Sequence, residues 1–227
     1  MLRLLPFLLV ILWGIVAWQL SARRLARALD RASRPLNHPR LAGPLAELGR
    51  AMGLPPIRAH LLEDPQVNGL AAPDGRVFLT RGLVAGLDRG VFSPAEVASV
   101  VAHELGHVAH GHARRRMLDV AGGNALRLAL AGLVARVLPG IAGPLAGLAG
   151  AAMTARLSRE DEYQADAFAS ALMLRAGLGT APQKALLARL DAMAAGRGGP
   201  PRWLASHPPA SARIAAIERL EARWREG

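Results

Sequence analysis

The chain has 227 residues, 52% hydrophobic and 4% aromatic, with 28 basic against 17 acidic side chains and a formal net charge of +11. That length allows one domain with an anchor or tail, and the absence of cysteine excludes a disulfide framework and any thiolate metal site. The basic residues are nearly all arginine but come with no aromatic-interleaved patch or nucleic-acid motif, so a membrane surface rather than nucleic acid is the expected use of the charge.

Leu4 to Ala22 is uncharged and mostly apolar over about 19 residues, enough for a helix to span a bilayer, with Trp18 near one end where interfacial aromatics gather. A cleaved signal peptide and a retained anchor both fit. Only Arg3 precedes the run, whereas Arg23, Arg24, Arg27, Arg31 and Arg34 follow it, which favours an anchor with the rest of the chain in the cytoplasm over the alternative of a periplasmic or other extracytoplasmic domain. The expected organisation is an anchor over 1–22, a linker over 23–40 and one folded domain over 41–227. The linker expectation rests on Pro35, Pro39 and Pro44.

Leu41 to Met52 predicts a short helix ending at Gly53, and Pro55-Pro56 then breaks the chain. Ile57 to Leu62 is a candidate strand. Val67 to Ala72, the turn pair Asp74-Gly75 and Arg76 to Thr80 predict a hairpin, and Leu83 to Asp88 a short helix. The hairpin is either purely structural or an edge that holds an extended peptide along Val67, Asn68, Gly69 and Leu70 by main-chain hydrogen bonds.

Ser93-Pro94-Ala95-Glu96 carries an N-cap serine, proline at the first helical position and glutamate at the capping-box position. The helix that follows is expected to run to about Ala121, before Gly122-Gly123. It contains His103-Glu104-Leu105-Gly106-His107. Two histidines four apart share one helical face and can grip one metal ion, while Glu104 can reach a water beside it. Val100, Val101, Leu105 and Val108 supply an apolar surround. His110 and His112 are read as solvated or outlying, and Arg114-Arg115-Arg116 as a solvated or membrane-facing run. Ala125 to Ala155 is rich in Ala, Gly and Leu, but its prolines and glycines make it a poor single span; membrane-associated or site-covering helices are expected.

Ser158 to Asp166 is expected to open another helix, with Glu160 and Asp161 favouring its N-terminal dipole. Glu162 and Asp166 are four apart and share a face. A carboxylate here would complete a His-His-Glu site, and Asp166 could fix the tautomer of a ligand histidine, although on spacing alone a solvated acidic helix start is the default reading of Glu160, Asp161, Glu162 and Asp166. Thr180 to Gln183 caps a further helix ending near Gly196. Ser206-His207-Pro208-Pro209 follows a Gly/Pro loop, and Ser211 is expected to cap a final amphipathic helix.

Taken together, four ordered blocks resemble the gluzincin peptidases of the HtpX and CAAX prenyl-protease group. They are Val67–Ala71 with Arg76–Leu83, the His103 motif, Glu162-Tyr163-Gln164-Ala165-Asp166, and Ser206-His207-Pro208 with Arg213. Gly69-Leu70 departs from the Ala-Phe often found there. The resemblance implies a mainly helical α+β, zincin-like domain with a small hairpin or sheet ahead of the metal helix. It implies one zinc per chain on His103, His107 and Glu162, Asp166 behind them, Glu104 as the base and His207 as support for the transition state. The expected function is a membrane-anchored zinc endopeptidase acting on misfolded or membrane proteins in membrane or envelope quality control, in contact with lipid and not with nucleic acid. The alternative is a metal-binding chaperone or scaffold for membrane proteins that does not cut.

Overall fold

The computed structural model describes residues 5–72, 74–111, 142–195 and 208–226, with chiefly backbone at the start of the first helix and over 142–158. Helix α1 (Leu5–Ala32) leads into strand β1 (Ser33–Pro35), helix α2 (Pro39–Ala51) and strands β2 (Ala59–Leu62), β3 (Gly69–Ala71) and β4 (Val77–Thr80). The four strands form one sheet in the order β1-β2-β4-β3, parallel between β2 and β4 and antiparallel elsewhere. The expected hairpin forms as β3 and β4, with Leu70 opposite Phe78. β3 is therefore an edge strand.

Residues 23–40, expected as a linker, carry the end of α1, all of β1 and the start of α2. Proline is tolerated in β1 because the strand lies at the other sheet edge, where Pro35 faces His60. The last turns of α1 dock on the sheet through Leu29, which packs with Ala72 and Phe78. Arg76 pairs with Asp30 at the same place.

Helix α3 (Arg81–Asp88) starts at Thr80, whose hydroxyl accepts from the Leu83 amide. Helix α4 (Pro94–Ala109) begins as expected. The Ser93 hydroxyl accepts from Glu96 N–H, and the Glu96 carboxylate accepts from Ser93 N–H. α4 ends well before the expected Ala121. Gly111 takes a left-handed φ of +62°, which L side chains resist, and this stops the helix just past its cap at His110. Residues 112–141, which include His112, Arg114-Arg115-Arg116 and much of the Ala/Gly-rich stretch, lie outside the described residues.

Helix α5 (Ala142–Arg175) runs without a break through Ser158, so no helix starts there. The sequence contains no glycine or proline from Ala151 to Arg175, and Ala-rich helix formers carry the chain across the acidic cluster. Glu160 and Asp161 consequently lie mid-helix, with Asp161 buried, rather than at a helix start. Helices α6 (Ala181–Ala195) and α7 (Ala210–Glu226) complete the described chain, with Ser211 inside α7 rather than capping it.

The core gathers on α4. Val97, Ala98, Val100, Val101, Ala102 and Leu105 pack among Leu41, Leu48, Leu79, Ala169, Leu172, Leu187 and Ile217. A helix apolar around most of its circumference belongs in the middle of a domain. Its polar residues are then forced into the interior, where they need partners.

Among the described residues no helix is long and apolar enough to cross a membrane. The run from Leu4 to Ala22 falls largely on residues whose side chains lie outside that set.

Candidate metal centre and active site

His103, Glu104, Glu162, Asp166 and Arg213 are all buried. Two helices bring the first four together. α4 presents His103 and His107, and α5 presents Glu162 and Asp166 from the facing turns. They meet at Gly106, between the two histidines: a Cβ there would lie 2.9 Å from both Cα and O of Ala165. Only a residue without a side chain lets the two backbones approach this closely.

The ligand atoms form a triangle. His103 Nε2 and His107 Nε2 are 3.2 Å apart, His103 Nε2 and a Glu162 oxygen 3.3 Å, and His107 Nε2 and the other Glu162 oxygen 3.4 Å. Ligands bound tetrahedrally at about 2.0–2.1 Å stand about 3.3 Å from each other, so these separations, with each Glu162 oxygen facing one histidine, suit one zinc-sized ion. The donor set of two imidazoles and a carboxylate suits zinc as well, and three protein ligands are the number found in catalytic rather than structural zinc sites.

Behind the triangle, His103 Nδ1 lies 3.0 Å from Asp166 Oδ1, which leaves Nε2 for the metal face. Arg213 on α7 donates to both Asp166 oxygens at 2.6 Å, and its Nη2 is 3.3 Å from His103 Nδ1. Burial works to raise the Asp166 pKa, but the Arg213 guanidinium outweighs it and holds the carboxyl well below the usual range. Burial works to lower His103, but hydrogen bonds to Asp166 and Glu162 outweigh it, and the metal-free imidazole is held at about 9.

Glu104 is pushed up to about 7, chiefly by burial. Its Oε2 accepts from the Ala71 amide at 3.1 Å. β3 lies hard against α4 because Gly69 has no side chain; a Cβ there would strike Val100 Cγ1. The Gly69 amide donates to Asn68 Oδ1 at 2.9 Å, and Thr80 Oγ1 binds both the amide and the carbonyl of Asn68. β3, which carries Gly69 and Leu70 and follows Asn68, therefore borders the glutamate that sequence marks as the base, with Val67 half-buried at its approach.

The structure thus brings together His103, Glu104, His107, Glu162 and Asp166, with the 67–71 edge beside them. Among the described residues the group that could hold a metal ion is His103, His107 and Glu162, without His110, which caps α4 and sits edge-on to Phe168. His207 lies outside the described residues. Sequence reasoning missed Gln183 on α6, which donates to the carbonyl and Oδ1 of Asp166 at 3.2 and 3.3 Å and is held in turn by the Ser170 hydroxyl at 2.8 Å. A signal was present: Gln183 precedes Leu186, Leu187 and Leu190 at helical spacing and so falls on the buried face.

Two helices crossing at a glycine, with paired histidines and a glutamate on one and paired carboxylates on the other, define a metallopeptidase domain of the His-Glu-x-x-His type. The chain belongs to peptidase family M48, which it matches over residues 35–221. It is 30% identical over 208 residues to a protease HtpX homolog of Acidiphilium cryptum, covering 80% of this chain and 65% of that protein. It is 29% identical over 179 residues to the metalloprotease YcaL of Escherichia coli, covering 78% and 67%. It is 28% identical over 170 residues to the beta-barrel assembly-enhancing protease of Escherichia coli, covering 70% of this chain but 33% of that one.

Proposed function

We propose that this protein is a membrane-anchored zinc endopeptidase acting on misfolded or membrane proteins. The observation that carries the reading is the triangle of His103, His107 and Glu162 with the Glu104 carboxylate buried beside it. Zinc held by these three residues would supply a Lewis acid that polarises the scissile carbonyl and makes water acidic near neutral pH.

The remaining work falls to the chain. Glu104 takes the proton from the attacking water and passes it to the leaving amine nitrogen, a task suited to a carboxylate whose pKa burial raises above its ordinary value. Asp166 keeps the His103 ring turned. The β3 edge, reached through Val67 and Asn68 and carrying Gly69 and Leu70, is where an extended substrate would lie beside Glu104. Main-chain carbonyls offer the bonds, because the Asn68, Gly69 and Ala71 amides are already taken. His207 precedes α7 by a few residues, and α7 is tied to the site through Arg213; it is assigned to hydrogen-bond the developing oxyanion.

Residues 1–22 form the anchor and 41–227 the peptidase domain in this reading. Leu12, Trp13, Ile15, Val16 and Leu20 all lie exposed along α1, as lipid-facing side chains would, and exposed arginines follow. The orientation of that charge supports a cytoplasmic domain. The beta-barrel assembly-enhancing name of one relative supports a role in envelope protein quality control.

The test is cleavage of an unfolded model protein by zinc-loaded wild type and Glu104→Gln. Cleavage by wild type, lost in the mutant while zinc stays bound, supports the reading. Equal cleavage by both refutes Glu104 as the base. Zinc binding with no cleavage by either would favour the non-cutting scaffold.

A further inference from the structure

We propose that Arg213 and Gln183 are positioning residues of the metal centre, acting from two further helices through Asp166 on the ring of His103. The inference rests on the zinc-site reading above and extends it to residues that touch no reacting atom.

Four helices contribute to one buried polar line. α4 gives His103, α5 gives Asp166, α6 gives Gln183 and α7 gives Arg213. Asp166 Oδ2 accepts from Arg213 Nε, while Oδ1 faces Arg213 Nη2, His103 Nδ1 and Gln183 Nε2. The Asp166 carboxylate therefore cannot turn about its own axis without giving up bonds to three side chains. Gln183 is fixed in its turn, because its Oε1 accepts from Ser170.

This matters for the metal because an imidazole held at Nδ1 has its Nε2 direction set as well. The ring pivots on its Cβ, so small rotations of Asp166 swing Nε2 out of the triangle with His107 and Glu162. Arg213 also supplies the charge that a fully buried Asp166 needs to remain a carboxylate acceptor. The grip is two-pronged and planar, which lysine cannot reproduce. A purely structural role is the competing account, since α6 and α7 also hold the domain through Leu186, Leu187, Leu190 and Ile217. Those apolar contacts remain when the polar line is cut, so the two accounts separate by experiment.

The experiment is zinc affinity by chelator competition on the full chain, for wild type, Arg213→Lys, Gln183→Met, Asp166→Asn and the Asp166→Asn/Arg213→Lys pair. The visible spectrum of each cobalt-substituted protein is recorded in parallel as a readout of ligand geometry. Arg213→Lys is expected to weaken zinc binding by roughly 10–100-fold, the range for lost outer partners of metal ligands, and to alter the cobalt bands. Gln183→Met should weaken it by roughly 2–10-fold, as for one neutral hydrogen bond. In the Asp166→Asn background Arg213→Lys should add less than about twofold, because its path to the metal is already cut. An Arg213→Lys affinity within about twofold of wild type, or full additivity with Asp166→Asn, overturns the proposal. Should Arg213→Lys fail to fold, Gln183→Met decides, and an unchanged affinity and cobalt spectrum there overturns it. Wild type that binds no zinc is a separate result, which removes the zinc-site reading itself.

Discussion

Glu104 and His103 are neighbours in sequence, and both must be free of a proton to do their work. One must lose its proton to act as a base, the other to act as a ligand. Glu104→Gln keeps the size and the Ala71 contact but cannot accept a proton, so kcat/KM should fall roughly 10²–10⁴-fold with zinc content unchanged. Burial, with the Glu162 charge beside it, raises Glu104 to about 7 against the lowering pull of His103, and a bound cation pulls it lower. Activity should therefore rise with pH along an acid limb at or below pH 7, measurable as kcat/KM against pH. For His103 the sign runs the other way. Its metal-free pKa is raised from 6.5 to about 9, so its contribution to apo stability is complete below 6.5 and is lost as pH rises through 9. Zinc must displace that proton, so its affinity should climb by up to about tenfold per pH unit toward pH 9. The zinc-induced rise in Tm should accordingly be larger at pH 8.5 than at pH 6.5; an equal or smaller rise at pH 8.5 would contradict the His103 environment described here.

The decisive element contact is α4 against α5. Gly106→Ala places a Cβ against the Ala165 backbone, which cannot yield as a side-chain tip can. The helices must separate, at about 1–3 kcal/mol of stability, and the histidines withdraw from Glu162. We expect zinc affinity to drop roughly tenfold or more, where one tenfold step corresponds to about 1.4 kcal/mol. Unchanged affinity and Tm in that variant would show that the crossing is not set by Gly106. The capping box is simpler: Ser93→Ala should cost about 1 kcal/mol in chemical denaturation with little change in zinc affinity. What was legible in sequence follows the same division. Local rules gave the start of α4, the β3–β4 hairpin and the shared face of His103 and His107, because caps, turns and i,i+4 spacing are written within a few residues. The partner of Arg213 lies 47 residues away and that of Gln183 lies 17 away, so no local rule could pair them. β1 was missed because a three-residue edge strand containing Pro35 has the composition of a linker. The Ser158 start was over-read because an acidic cluster resembles a helix beginning even in the middle of a longer helix.

At the scale of the whole molecule, α1 joins a row of exposed apolar residues to a docked end. Leu29 and Asp30 hold that end on β4 and the hairpin turn, close to the strand that borders Glu104. The helix is continuous from Leu5 to Ala32, so the proposed anchor and the peptidase domain are joined by a rigid connection rather than a loose linker. We expect the full chain to sediment with membranes and a chain lacking residues 1–22 to release from them while still binding zinc. Sedimentation of both forms alike would move the membrane contact elsewhere. The central claim is that His103, His107 and Glu162 form one zinc site. Native mass spectrometry of the purified chain and of Glu162→Gln tests it most directly. One zinc per wild-type chain, lost or greatly weakened in Glu162→Gln, is the predicted result; no zinc on the wild type, or equal retention by the mutant, would contradict it.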